Sequence, residues 1–289
     1  MRVPYTAVPV AVNCWFEIRL LILLTCDVFF SGVECDPNMQ SATYGRVKSI
    51  ELGGVVLRGT LPSSIGNFQS ISDLTIFNTR LNGTIPSTIS ALTLLKSLRL
   101  IQNSFTGSIP RSIGSLTSLN FLSISANSAL GGRIPTSFGN LIKLNYLKLS
   151  GNKLVDIVPS SLSALTQLVS LSLDENLLTG SIPPSFSRLT SLIFLNLSTN
   201  SLIGTITSQM NSLLSLISLD LSSNYLTMGT LTTVPTTIFS LETLYGYLNL
   251  EQNCLVFDTD YPARHVIASH CYSTSKYYLN FSYIWYDNM

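Results

Sequence analysis

The sequence predicts an α/β solenoid, in which about nine stacked repeats of about 24 residues share one parallel sheet. The phrase LxxLxLxxNxLxGxIP recurs along the chain, as in Leu95–Pro110 and Leu168–Pro183. The proline that ends the phrase returns at steps of 24 or 25 residues from Pro62 to Pro183. The central strand residue follows the same spacing through nine phrases. A fixed period of this length indicates stacked units, because no single unit can bury its apolar face alone.

Each repeat begins with an LxL segment, whose alternation of apolar and polar residues predicts a strand. The two leucines point into the solenoid, and the intervening residues point outward to line a concave face. The outward residues therefore form columns along the array. In the first column, Phe121, Tyr146 and Phe194 interrupt a run of mostly small and polar residues.

An asparagine follows each strand, and we predict that it bonds to backbone groups where the chain bends. Its amide both donates and accepts hydrogen bonds, so it can satisfy polar groups inside the stack. Val55 and Thr79 occupy this position in the first two repeats, which predicts a looser ladder at the N-terminal end. The asparagines are Asn103, Asn127, Asn152, Asn176, Asn200, Asn224 and Asn253.

The remainder of each repeat predicts a turn. The glycine of LxGxIP permits a backbone that a side chain would crowd, and the proline suits a turn or a sheet edge. Apolar residues three positions apart, such as Ile89 and Leu92, then favour a short helical or 3₁₀ turn on the convex side. Asp156 replaces one glycine, Thr207 replaces one proline, and an insertion lies around residues 228–233. These departures predict an irregular curve rather than a different fold.

These motifs resemble those of plant-type leucine-rich repeat proteins, namely the ectodomains of receptor-like kinases and receptor-like proteins and the secreted polygalacturonase inhibitors. The resemblance covers about residues 26–271. It implies a right-handed leucine-rich repeat superhelix with a short second sheet and a cap at each end. The GVxC phrase that ends at Cys35 and the GRV phrase at Gly45–Val47 resemble the family's N-terminal cap. The expected organisation is a possible leader (1–25), an N-terminal cap (26–46), the repeat array (47–253), a C-terminal cap (254–271) and a tail (272–289).

All five cysteines lie outside the regular repeats. The resemblance implies a capping disulfide between Cys26 and Cys35, and the position of Cys254 and Cys271 suits a second disulfide at the other end. Cys14 is left unpaired, in the possible leader or as a free thiol. Disulfides indicate an oxidising compartment, whereas the alternative is a set of free thiols in a cytoplasmic protein.

Three N-x-S/T sequons, at Asn82, Asn196 and Asn280, are candidate glycosylation positions and favour secretion. The apolar run Leu20–Leu24 follows a basic residue, as in a secretory signal, but Asp27 interrupts it. We therefore expect an extracellular or cell-surface protein, with the cytoplasm as the alternative. The run is too short to span a membrane, and we expect no span after the array.

Composition excludes several classes of function. Only 11% of the residues are charged and the net charge is +1, so neither nucleic acid nor an anionic membrane is an expected partner. The two histidines, His265 and His270, lie close together near the predicted C-terminal cap, and no cysteine–histidine spacing suggests zinc. We expect neither an enzyme nor a cofactor.

The outward residues suggest where a ligand binds. Aromatic residues and arginine contribute a disproportionate share of the energy of interfaces. We predict a ligand-binding cluster, here called the aromatic patch. Its members are Phe77, Arg99, Phe121, Tyr146, Lys148 and Phe194. The alternative is that these aromatic residues only pack on one another across adjacent strands.

The favoured function is recognition of a peptide, glycan or protein ligand, receptor-like and with a membrane co-receptor as a further candidate partner. A second hypothesis is inhibition of a cell-wall hydrolase, which the family resemblance allows. A third is binding to ice or another regular surface, which regular outward rows of threonine or asparagine would support. The concave columns are too irregular for this third hypothesis. A structural adaptor without a dedicated ligand is the fourth.

Overall fold

The computed structural model describes residues 33–35, 47–54, 56–57, 59–206, 210, 212–227, 247–250, 252–253 and 282–283. In this part of the chain, a typical repeat contributes one strand to a main sheet, a short strand to a second sheet and a 3₁₀ turn. This confirms the α/β solenoid that the period predicts. The second sheet implied by the family resemblance is also present.

The elements alternate regularly along the chain. The strands are β1 Val33–Cys35, β2 Val47–Gly53, β3 Asp73–Phe77, β4 Asn82–Thr84, β5 Ser97–Ile101, β6 Ser104–Ser108, β7 Phe121–Ser123, β8 Ala129–Arg133, β9 Tyr146–Lys148, β10 Lys153–Ile157, β11 Ser170–Ser172, β12 Leu177–Thr179, β13 Phe194–Asn196, β14 Ile203–Thr205, β15 Ser218–Asp220, β16 Tyr225–Thr227, β17 Tyr247–Asn249 and β18 Ser282–Tyr283. The 3₁₀ turns are η1 Ser63–Asn67, η2 Ser87–Ala91, η3 Arg111–Ser115, η4 Thr136–Asn140, η5 Ser160–Ala164 and η6 Pro184–Arg188.

The main sheet forms the concave face. Among the described residues it has the strand order β1-β2-β3-β5-β7-β9-β11-β13-β15-β17-β18. The strands from β2 to β17 run parallel, and β1 and β18 each add an antiparallel strand at one edge. An added strand satisfies backbone groups that an open edge would leave unpaired. The predicted domain boundaries and caps stay predictions.

The second sheet and the 3₁₀ turns form the rest of each repeat. Strands β4, β6, β8, β10 and β12 pair in parallel, and β14 pairs with β16. Each 3₁₀ turn begins directly after the proline of LxGxIP, or after the equivalent proline of a variant repeat, as the sequence predicts. The inward leucines of the strands and the apolar residues of the turns form one continuous buried core, with Phe105, Phe138 and Phe186 fully buried.

The predicted asparagine ladder joins neighbouring repeats. Asn200 shows the pattern: its Nδ2 donates to Leu173 O at 3.0 Å and Leu197 O at 3.1 Å, and its Oδ1 accepts from Leu178 N at 3.0 Å. Asn127 differs, because its Oδ1 is buried without a hydrogen-bond partner.

The ladder also includes Thr79, against the expectation of a looser N-terminal end. The backbone N of Thr79 donates to Asn103 Oδ1 at 3.1 Å, and its Oγ1 donates to the same oxygen at 2.7 Å. Thr79 is fully buried. A hydroxyl can replace an amide here because the partner asparagine supplies the acceptor. Val55 lies outside the described residues.

Two rows of left-handed backbone recur along the array. The first is the residue before each ladder position, where φ is 53° at Gln102, 56° at Ala126 and 53° at Thr199. The second is the glycine of LxGxIP, where φ is 74° at Gly107. Asp156 adopts a φ of 71° in the second row, so the repeat keeps its backbone path despite the substitution. The other two departures, Thr207 and residues 228–233, lie outside the described residues.

Candidate ligand-binding site on the concave sheet

The strand register places the outward residues in straight columns. In the first column Phe121 pairs with Tyr146, Tyr146 with Ser170, and Ser170 with Phe194. The middle column contains Arg99, Ser123, Lys148, Ser172, Asn196 and Asp220. The columns are straight because adjacent parallel strands pair without a shift of register. A ligand that runs along the solenoid therefore meets one residue of each column at every strand.

Three members of the aromatic patch form a stack. The guanidinium carbon Cζ of Arg99 lies 4.3 Å from the centre of the Phe121 ring. The Phe121 and Tyr146 ring centres are 5.4 Å apart, and the ring planes differ by 31°. Contacts of these two kinds contribute about 0.5–1 and 0.5–1.5 kcal/mol. Phe121 and Tyr146 thus pack on each other across adjacent strands, as the alternative prediction states. Tyr146 nevertheless remains 37% exposed.

Tyr146 also forms one wall of a shallow depression of about 440 Å³. Phe194, 47% exposed, lies on the other side of β11, where Ser170 occupies the first column between the two aromatic residues. The outward side chains that line the depression are Tyr146, Lys148, Ser170, Ser172, Phe194, Asn196, Ser218 and Asp220. The depression thus has aromatic walls and a floor of hydroxyl and amide groups, with one charge of each sign.

Hydrogen bonds hold the polar floor in place. Asn196 Oδ1 accepts from Ser198 N at 3.0 Å and from Ser198 Oγ at 2.7 Å. Asp220 repeats this arrangement with Ser222, at 3.0 and 2.6 Å. Beside them, Asp174 Oδ1 accepts from Ser150 Oγ at 2.7 Å and from Ser172 Oγ at 2.5 Å. These bonds orient the carboxylate and amide groups before any ligand arrives.

The structure does not bring all six predicted residues together. Lys148 is exposed beside Tyr146 and forms no ion pair with any described residue. Phe77 stands apart, two strands from Phe121 and in the third column. Its ring covers Gly53, where a Cβ atom would lie 1.8 Å from Phe77 Cε1. The absence of a side chain at Gly53 therefore leaves room for the Phe77 ring. Phe77 does not line the depression.

Sequence reasoning missed part of this site. Ser170, Ser172 and Asp220 line the depression, but serines looked uninformative among so many others. A usable signal was the recurrence of Asn or Asp two residues before Ser, as in Asn196–Ser198 and Asp220–Ser222.

The predicted modification sites are only partly described. Asn196 is half-buried in the floor of the depression, whereas Asn82 is exposed at the start of β4 on the second sheet. Cys35 ends β1. Asn280 and the remaining predicted disulfide positions, Cys26, Cys254 and Cys271, lie outside the described residues. The disulfides and the glycans stay predictions.

A second surface feature lies on the ridge after the 3₁₀ turns. Thr93 and Thr117 occupy the same place in successive repeats, and the backbone N of each bonds at 2.9 Å to the carbonyl two residues earlier. The exposed residues of this row are Gln69, Thr93, Thr117, Ile142, Thr166, Thr190 and Leu214. The row is thus mostly threonine, with glutamine at its start and two aliphatic interruptions.

The described residues contain neither a metal-binding cluster nor a membrane-spanning helix. No group of three or more histidine, cysteine, aspartate or glutamate side chains is placed to hold a metal ion. In the same part of the chain, no helix is both long and apolar enough to cross a membrane.

Comparisons with known proteins agree with this architecture. Two family models described as leucine-rich repeats match residues 94–116 and 134–178. No curated protein matches the chain.

Among solved structures, the chain is similar to the ectodomain of the Arabidopsis thaliana receptor kinase GASSHO1/SCHENGEN3 in complex with CASPARIAN STRIP INTEGRITY FACTOR 2. The identity is 34% and the TM-score 0.73, over 78% of this chain and 26% of that one. It is also similar to the ectodomain of the Arabidopsis receptor kinase HAESA in complex with an IDA peptide hormone ligand. Here the identity is 36% and the TM-score 0.66, over 80% and 37% of the two chains.

A third similar structure is a plant ice-binding protein, with 30% identity and a TM-score of 0.67 over 78% of this chain and 70% of that one. The chain therefore spans only about a quarter to two fifths of the two receptor ectodomains, but more than two thirds of the ice-binding protein.

Proposed function

We propose that this chain, which belongs to the plant-type leucine-rich repeat proteins, is a non-enzymatic extracellular recognition module that binds an extended ligand along its concave sheet. The observation that carries the proposal is the depression between Tyr146 and Phe194. Both are large aromatic side chains that stay partly exposed among serine, asparagine and charged side chains. They match the composition of residues that dominate interface energies.

The receptor-like character of the proposal draws support from the similar proteins. Two of them are receptor-kinase ectodomains, and one of these is described with a peptide hormone ligand. A peptide, a glycan or a protein could each lie along straight columns of outward residues. A membrane-bound co-receptor is a further proposed partner, because a structure of HAESA contains one.

The direct test removes two aromatic side chains of the patch. We expect Phe121→Ala combined with Tyr146→Ala to abolish binding to a ligand selected from synthetic peptides and plant cell-wall oligosaccharides. Phe77→Ala is the matched control, since Phe77 is equally aromatic and on the same sheet but lies outside the depression. All variants should keep the circular dichroism spectrum of the parent. Undiminished affinity of the double variant would refute the proposal.

The proposed compartment has its own test, by mass spectrometry of unreduced protein from its native source. We expect linked Cys26–Cys35 and Cys254–Cys271 pairs and a glycan on at least one of the three sequons. Free thiols, no glycan and an intact Met1 would contradict an extracellular location.

Ice binding is the second candidate function. It is supported by the similarity to the plant ice-binding protein and by the exposed threonine row on the turn ridge, which is more regular than the columns of the concave face. Equivalent residues of adjacent repeats recur at about the spacing of neighbouring strands, about 5 Å. If this function holds, the protein slows ice recrystallisation, and Thr117→Lys combined with Thr166→Lys removes that activity. Thr227→Lys, at a half-buried threonine outside the row, is the control.

A further inference from the structure

We propose that the depression between Tyr146 and Phe194 binds a neutral, β-linked oligosaccharide, with one pyranose ring stacked on each aromatic residue. The inference rests on the proposed function and deepens it by naming the ligand class. Three properties of the depression support it: the support of Tyr146, the spacing of the two rings and the chemistry of the floor.

Tyr146 is held as a wall by the residues behind it. Phe121 packs against Tyr146 from the β7 side, and Arg99 in turn packs on Phe121. The side of Tyr146 turned away from Phe121 lies toward β11, where Ser170 is small and buried. A flat surface therefore faces open space above Ser170. Flat apolar faces of pyranose rings stack on such surfaces, because both partners lose apolar area to water.

The spacing of the aromatic residues suits a sugar chain. Tyr146 and Phe194 lie two strands apart in one column, so their backbones are separated by about 10 Å. A β-1,4-linked pyranose chain advances by about one strand spacing per residue, and alternate residues present the same face. An extended peptide advances by about 3.4 Å per residue, so its neighbouring same-side residues are about 6.8 Å apart, which is less than the separation of Tyr146 and Phe194.

The floor offers neutral groups that both donate and accept. With its Oδ1 held by Ser198, Asn196 has an Nδ2 group that makes no hydrogen bond within the described residues. Ser218 adds a hydroxyl, and Ser172, whose proton is donated to Asp174 Oδ1, can still accept a hydrogen bond from a sugar hydroxyl. Lys148 and Asp220 contribute charges of opposite sign, so the depression has no net charge to select an ionic ligand.

The experiment measures binding of four hexasaccharides by titration calorimetry. Cellohexaose and mannohexaose are neutral and β-1,4-linked, whereas laminarihexaose is neutral but β-1,3-linked and therefore tests the spacing argument. The fourth is the anionic hexamer of galacturonic acid. We expect at least one of the two β-1,4-linked probes to bind more tightly than laminarihexaose and the anionic hexamer, with an affinity that does not change between low and high salt, because no charge pair is involved. Tyr146→Ala and Phe194→Ala should each weaken it about tenfold, the size of one lost aromatic contact.

Two controls separate stacking from other effects. Tyr146→Phe keeps the ring and should keep the affinity, and Phe77→Ala removes an aromatic residue outside the depression and should have no effect. Tyr146→Ala loses the ring contact with Phe121 and should lower the thermal midpoint slightly, but each variant should be fully folded at the temperature of the titration. The inference also requires that Asn196 carry no glycan in the mature protein, since a glycan there would fill the depression.

The outcomes distinguish this inference from the proposed function. If no neutral hexasaccharide binds, but a synthetic peptide binds in a manner that depends on Tyr146 and Phe194, the ligand class is wrong and the recognition function stands. If neither class binds, both fail. Binding of a neutral probe that neither alanine variant weakens would also overturn the inference, because the sugar would then lie elsewhere.

Discussion

Replacing Asn176 by alanine tests the asparagine ladder at one junction between repeats. The Asn176 Oδ1 accepts from Leu154 N at 3.0 Å, and Leu154 is fully buried. The carbonyls that accept from Asn176 Nδ2 would not be left without a hydrogen bond, because each also accepts from a second donor. Those donors are Asn152 Nδ2 for Leu149 O, Asn200 Nδ2 for Leu173 O and Gly151 N for Asp174 O.

The expected loss is therefore dominated by one orphaned buried N–H, about 1–3 kcal/mol. Asn127→Ala is the matched control, since Asn127 donates to Leu100 O and Ser125 O but its Oδ1 accepts nothing. Removing the Asn127 side chain therefore deprives no N–H group of its acceptor. We expect Asn176→Ala to lower the free energy of unfolding by about 1–3 kcal/mol more than Asn127→Ala.

The assay is equilibrium unfolding in urea with equal m-values for all proteins, since a changed m would indicate lost cooperativity between repeats. Hydrogen exchange adds a local readout, because the Leu154 amide should lose protection in Asn176→Ala and keep it in Asn127→Ala. Equal destabilisation by the two substitutions, or unchanged protection of Leu154, would refute the argument that the Oδ1 acceptor is the important group.

Three further substitutions test the packing and the backbone. Leu171→Ala should lower the free energy of unfolding by about 2–5 kcal/mol, because Leu171 is fully buried. Leu177→Ala, at an exposed position of the second sheet, is the control and should change it little. Urea titration measures both variants, and equal effects would contradict the burial argument. Thr199→Gly should stabilise by up to about 1 kcal/mol, measured in the same way, because relief of the left-handed backbone at φ 53° returns about 1–2 kcal/mol while the greater unfolded-state entropy of glycine costs about 0.4–1 kcal/mol; a loss of stability would contradict this. Asp156→Val should lower the thermal midpoint, since a β-branched residue tolerates the left-handed conformation at φ 71° much less well than aspartate does, whereas Asp156→Gly should retain it despite losing the ion pair with Arg133; a valine variant as stable as the glycine variant would count against the reasoning.

The period of the sequence was enough to predict the solenoid, because the inward leucines, the asparagine and the proline each have one geometric role per repeat. It also predicted which residues share a column, since parallel strands of equal phrase length pair without a shift. The left-handed position before each asparagine was not predicted. Residues as different as Gln102, Ala126 and Thr199 occupy it, so composition gives no signal there.

The site was harder to predict than the fold. Column membership placed Phe121, Tyr146 and Phe194 together, but it could not show that Phe121 packs behind Tyr146 while Phe194 stands free across a gap. That difference depends on side-chain direction and on the small Ser170 between them. Phe77 was included because it is aromatic and outward, and only its contact with Gly53 shows that it lies elsewhere.

The asparagine ladder has a consequence for how such a chain changes over evolutionary time. Each ladder amide bonds mainly to backbone atoms of its neighbours, as Asn200 does with Leu173, Leu178 and Leu197, so it does not depend on which side chains those neighbours carry. A repeat can then be duplicated, deleted or exchanged as a unit while the junctions on both sides close in the same way. The number of repeats and the residues of the concave face can therefore change independently. A new recognition surface can arise by recombination of whole repeats without a new core.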